Sequence, residues 1–168
     1  MLGLRDLSKG TQLNEWTKFY LRAEKEHSFH LYIGLGWAYA RCATTPDQNL
    51  KTLHPLMRWM VFDGMGYYNA LFRGRRTIKN QMVPEDVEGE DRNGYDQGLG
   101  RRLWYMASGD VSEVTAFIQS FPSSRHPDLW RGVGIACGYV GGNARENLEK
   151  LIHSSGEYKP QLCAGIVL

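Results

Sequence analysis

Cysteine is scarce: Cys42, Cys137 and Cys163 are the three in 168 residues. An odd, widely spaced set argues against a disulfide framework and a cysteine-rich zinc site. Cys42 and Cys137 lie in apolar segments and are expected as small buried hydrophobes. Charge of one sign is scarce as well. Twenty Lys and Arg against eighteen Asp and Glu leave a net charge of +2, so no electrostatic footprint calls for nucleic acid or an anionic membrane. Long apolar runs are missing: those near 31–40 and 132–142 are about half the ~20 residues that a spanning helix needs. The opening MLGLRDLSKG has no apolar core followed by a small-residue cleavage site, so no secretory signal is expected and the expected place is the cytoplasm. There is no Gly-x-Ser-x-Gly elbow, no His-Glu-x-x-His and no Gly-Lys-Ser/Thr phosphate loop, which leaves nucleophilic, zinc-peptidase and P-loop chemistry without support. His27 and His30 are three apart, but no carboxylate of matching spacing accompanies them. We expect neither metal nor cofactor. Strand-like alternation is essentially absent.

Glycine is plentiful, and it is in phase. Gly-x-Gly occurs at Gly34/Gly36, Gly64/Gly66, Gly98/Gly100 and Gly132/Gly134, with spacings of 30, 34 and 34, and Gly165 follows Gly132 by 33. Nineteen glycines in 168 residues would give roughly two such pairs by chance, so the phase is the stronger signal. The middle residue is always aliphatic or Met: Leu35, Met65, Leu99 and Val133. A period near 33 is that of a helical hairpin. A dinucleotide fingerprint would want a strand before the pair and a small residue three after it. Tyr39, Asn69, Leu103 and Cys137 stand there instead. Packing is the alternative use. Gly34 and Ala38, Gly36 and Ala40, Gly132 and Ala136, and Gly134 and Gly138 are each four apart, on one helix face, where a second backbone can come close.

The fold expected is all-α: an αα-hairpin repeat array of about four units near 33 residues long, with little or no sheet. Gly-x-Gly helices form an inner row and amphipathic helices an outer one. In the outer row, DVSEVTAFIQSF places Val111, Val114, Phe117, Ile118 and Phe121 on one stripe, with Asp110 and Glu113 as a capping box and Pro122 after the end. NARENLEKLI repeats the device with Asn143 and Glu146, and DQNLKTLHPLM offers Leu50 and Leu53. Residues 11–27 read as an outer helix whose inner partner is missing. The second unit departs, with an irregular acidic loop over 77–94 that reads as solvated or as a binding loop. Residues 1–168 are expected as a single helical-repeat domain, incomplete at both ends, with apolar repeat ends that a partner protein or a second copy covers.

Polar residues on inner helices are the site candidates, because a buried charge must be paired or functional. Asp63, Asp96 and Arg131 all stand within two residues of a Gly-x-Gly. In stacked repeats they come near one another, so that Asp63 or Asp96 pairs with Arg131, Arg101 or Arg102, or serves as a general acid or base. Tyr32, Trp37, Tyr67, Tyr68, Trp104 and Trp130 either fill the core or line a groove for a ligand. His126, before Pro127 and Asp128, reads as a turn or cap.

HLYIGLGWAYAR (30–41), FDGMGY (62–67), YDQGLGRRLW (95–104) and SFPSSRHPDLWRGVGIACGYVGG (120–142) resemble an uncharacterised bacterial domain family encoded beside enediyne polyketide synthases and in other natural-product gene clusters. The resemblance covers about 28–168 and implies the C-terminal half of that family, whose members are about twice as long. It implies a place in polyketide or enediyne assembly. It carries over no reaction and no catalytic residue. Two functions follow. One is an accessory helical-repeat protein that binds a partner protein or a lipophilic polyketide intermediate. The alternative is a cofactor-independent enzyme acting on a polyene or polyketide, with Asp63, Asp96 and Arg131 in one pocket.

Overall fold

The structure, a computed structural model, describes residues 24–42, 50, 53–141 and 144–167. Seven α-helices lie among them: α1 Glu24–Cys42, α2 Pro55–Phe72, α3 Gly89–Met106, α4 Val111–Gln119, α5 His126–Val140, α6 Arg145–Ser154 and α7 Lys159–Ile166. The described residues contain no strand. Local chemistry sets several helix starts. The His54 ring accepts from the Leu56 N–H at 3.3 Å, and Pro55 follows at the first helical position, where its missing N–H costs nothing. Asp110 accepts from the Glu113 N–H at 2.9 Å, the cap read from the sequence. Asn143 lies outside the described residues, and α6 begins with Ala144 at its N-cap and no side-chain cap.

The helices stack in a row. α1 packs on α2, α2 on α3, α3 on α5 and α5 on α7, while α4 and α6 pack on one another beside it. Every helix of the row carries an in-phase glycine, and the contacts show why. A Cβ on Gly66 would stand 1.9 Å from the Tyr95 carbonyl oxygen, and one on Gly98 would stand 1.8 Å from that of Asp63. Gly36, Gly64, Gly100, Gly132, Gly134 and Gly165 meet neighbouring backbone in the same way, at 1.9 to 2.2 Å. Glycine costs about 1 kcal/mol in a helix interior, and the backbone approach it permits offsets that cost with Cα–H···O contacts and dense packing. Gly34 departs from this expectation: none of the described residues lies within 4 Å of its would-be Cβ.

Three further readings are corrected. Residues 24–27 belong to the Gly-x-Gly helix α1 and not to a separate outer helix, while 11–23 lie outside the described residues. The irregular segment is shorter than 77–94: a π-helical turn covers Arg75–Lys79, and α3 begins at Gly89, which takes φ +54°. Cys42 is half-exposed, and Cys137 alone of the three cysteines is buried. The core falls into two clusters. One joins α1, α2 and Tyr95 around Tyr32, Leu35, Phe62 and Met65. The other runs from α3 to α7 around Leu99, Leu103, Ile118, Leu129 and Leu151.

Candidate functional site

The inner row carries buried charge, and every candidate charge has a partner. Asp63, 1% exposed, precedes Gly64 on α2. Its carboxylate accepts from Gln97 Nε2 at 2.8 Å and pairs with the Arg101 guanidinium, both from α3. Burial pushes the Asp63 carboxyl above its ordinary value, and Arg101 and Gln97 offset only part of that. Asp96 on α3 pairs with Arg125, which donates from Nε at 2.9 Å and from Nη2. Both residues are 2% exposed. Arg125 also donates to the Gln81 carbonyl at 3.2 Å and lies 4.8 Å from the centre of the Phe121 ring. Gln81 holds φ +55°, an uncommon backbone for a non-glycine residue. Arg131 pairs with Asp128 at 3.1 Å and lies over Trp59 at 5.8 Å.

Asp63, Asp96 and Arg131 therefore sit in three separate ion pairs. A cleft of about 330 Å³ lies elsewhere, lined by Leu53, Trp59, Glu88, Glu90 and the Arg58–Asp91 pair. None of the three candidates lines it, though Arg131 touches its wall through Trp59. Arg125, in the 3₁₀ turn Ser123–Arg125, is the partner of Asp96 that the sequence does not mark. Among the described residues no three His, Cys, Asp or Glu side chains gather as a metal site requires.

The aromatic candidates divide. Tyr32, Trp104 and Trp130 are core residues, 1 to 4% exposed. Tyr67 is half-buried and belongs to a surface face. The residue after each second glycine is Trp37, Tyr67, Arg101 and Ile135, and the row lines up the first three. Trp37 stacks on Tyr67 at 5.8 Å and 16°, and Arg101 lies 5.1 Å over the Tyr67 ring. Further along the same helices, Phe72 meets Trp37 edge-on at 6.1 Å and Tyr105 meets Tyr67 at 6.2 Å. Phe72 is 60% exposed and Tyr139 77%. Partial burial raises the Tyr105 hydroxyl pKa, the Tyr67 and Tyr139 hydroxyls add to it, and Arg101 opposes. The result is a ladder of rings and one guanidinium across α1, α2 and α3 that is open to solvent at the helix ends. Such a surface takes flat, extended apolar groups and leaves a cation for a polar end.

The described residues hold no helix long and apolar enough to cross a membrane. Compared with known protein families, residues 2–168 match the model described as "Protein of unknown function (DUF1702)". No curated protein and no solved structure matches the chain.

Proposed function

We propose that this chain, which belongs to the DUF1702 family, is an αα-repeat accessory protein of polyketide or enediyne-type natural-product biosynthesis that binds a lipophilic intermediate or a partner protein. The repeat reading is supported by in-phase glycines that each meet the backbone of the next helix of the row. The biosynthetic setting is supported by the strings that resemble natural-product cluster proteins. The binding reading is carried by one observation, the aromatic face of Trp37, Tyr67, Phe72, Tyr105 and Arg101. Exposed contiguous rings lose free energy to water and regain it when an extended apolar partner covers them. The enzyme reading has less to stand on, because Asp63 and Asp96 are each engaged by a guanidinium and neither lines the cleft.

The test is titration with a long-chain conjugated polyene fatty acid, followed by the ligand's own fluorescence, which rises in an apolar site. The wild type is expected to saturate. Tyr105→Ala, an exposed position, is expected to weaken binding roughly tenfold at unchanged helicity. A wild type that never saturates, or equal affinity in Tyr105→Ala, removes the ligand reading from this face.

A further inference from the structure

Six arginines of the described residues are buried or half-buried: Arg58, Arg73, Arg101, Arg102, Arg125 and Arg131. Arg58, Arg101, Arg125 and Arg131 each pair with a carboxylate. Arg73 donates to Asn69 Oδ1 at 3.2 Å. Arg102 has no partner among the described residues, and its Nε is shut off from solvent as well. A guanidinium offers donors and no acceptor. Leaving such a donor unpaired where water cannot reach it costs free energy.

Arg102 does not stand alone in this. Trp37 Nε1 and Arg101 Nε are likewise buried without a hydrogen bond. Both side chains lie on the Tyr67 ring, Trp37 stacked at 5.8 Å and Arg101 over it at 5.1 Å. Arg102 stands 34 residues after Tyr68, the spacing that relates Gly64 to Gly98. It takes on α3 the place that Tyr68 takes on α2, and Tyr68 meets Trp37 edge-on at 5.6 Å. The aromatic face therefore gathers three unpaired N–H groups about Tyr67, and each calls for an acceptor. Arg101 is already neutralised by Asp63, so the charge left over is that of Arg102. A carboxylate answers both the donors and the charge. Outside the described residues the chain carries Asp6, Glu15 and Asp47 against Arg5, Lys9, Lys18, Arg22 and Lys51. Those segments bring more positive charge than negative and are poor candidates for the missing anion.

We propose that the molecule bound on this face is an amphiphilic anion, an extended apolar chain along Trp37, Tyr67 and Tyr105 whose carboxylate sits on Arg102. The inference rests on the aromatic face as a ligand site and adds the charge that its ligand carries.

The test compares a long-chain conjugated polyene fatty acid with the alcohol of the same chain, at about pH 8, where the acid is ionised. The proteins are the wild type and Arg102→Met, which keeps an apolar stem and drops the charge. The wild type should bind the acid about tenfold more tightly than the alcohol. Arg102→Met should bind acid and alcohol alike, both at the wild type's affinity for the alcohol. Its melting temperature should equal or exceed that of the wild type, because no described residue loses a partner. Acid and alcohol bound alike by the wild type overturn the anchor and leave the aromatic face standing. Failure of both to saturate removes the face and the anchor with it. An acid preference that survives in Arg102→Met overturns the assignment to Arg102. Arg101→Met breaks the Asp63 pair and should melt lower than the wild type. An Arg102→Met melting temperature that falls as far as that of Arg101→Met places one of the chain's own carboxylates on Arg102 and overturns the proposal as well.

Discussion

Asp128 is the side chain whose charge is least at ease. Burial lifts its carboxyl from 3.8 to about 6, with Arg131 opposing and the nearby Asp96 charge adding to the rise. The folded chain thus holds this proton more tightly than the unfolded chain does. The stability it contributes is complete below about 3.8 and is lost as the pH rises through about 6. Asp128→Asn removes that titration. Melting temperatures of the wild type should fall between about pH 4 and pH 7, and the variant should show a flatter profile that meets or exceeds the wild type at the upper end. Equal slopes would mean that another group titrates there. In the neighbouring Asp96–Arg125 pair each partner satisfies the other in a fully buried bidentate contact. The sequence pointed at Asp63 and Asp96 because a carboxylate near a packing glycine is conspicuous. Arg125 gave no such signal, since its partner lies 29 residues away and only the turn before α5 aims the guanidinium inward.

Glycines act at the scale of whole helices, and their positions sort by what they touch. Gly98→Ala drives a methyl against the Asp63 carbonyl, 1.8 Å from the built Cβ. Backbone cannot give way as a flexible side chain does, so the cost should be about 3 kcal/mol or more. Gly74→Ala is the control. Its nearest neighbour is the end of Ile78 at 3.9 Å and its φ of −51° suits alanine, so the variant should be neutral or slightly more stable. Urea midpoints separate the two, and a Gly98→Ala midpoint equal to that of Gly74→Ala would remove close packing as the reason for the phase. The same physics explains how much could be read in advance. A close helix crossing demands glycine at a fixed place in each helix, so the period of the row was written in the chain. The connection from α2 to α3 has no such demand. A π turn, a left-handed Gln81 and the irregular stretch before Gly89 depend on tertiary contacts to Ser120 and Arg125, which local patterns do not report.

A row of helices that touch only their neighbours need not melt as one body. The two core clusters make the weak point specific. The cluster that runs from α3 to α7 takes only Ala70 from α2, and the cluster of α1 and α2 takes only Tyr95 from α3. Across the junction stand the Gly66–Gly98 contact, Gly94 against Trp59 and Phe62, the Arg58–Asp91 pair, and the polar bonds from Gln97 and Arg101 to Asp63 and from Asn69 to Tyr95 at 3.3 Å. Gly66→Val would set a branched side chain against the Tyr95 carbonyl, 1.9 Å from the built Cβ. Hydrogen–deuterium exchange should then show amides of α1 and α2 losing protection while those of α5, α6 and α7 keep theirs, because the second cluster retains its own apolar contacts. Uniform loss of protection from α1 to α7 would instead mean that the row unfolds as a single unit. In that case the buried ion pairs, rather than nearest-neighbour packing, carry its cooperativity. The partial outcome matters for binding as well. Trp37, Tyr67 and Phe72 all stand on α1 and α2, so a chain that releases those two helices should lose the polyene signal while its α5 to α7 half stays folded.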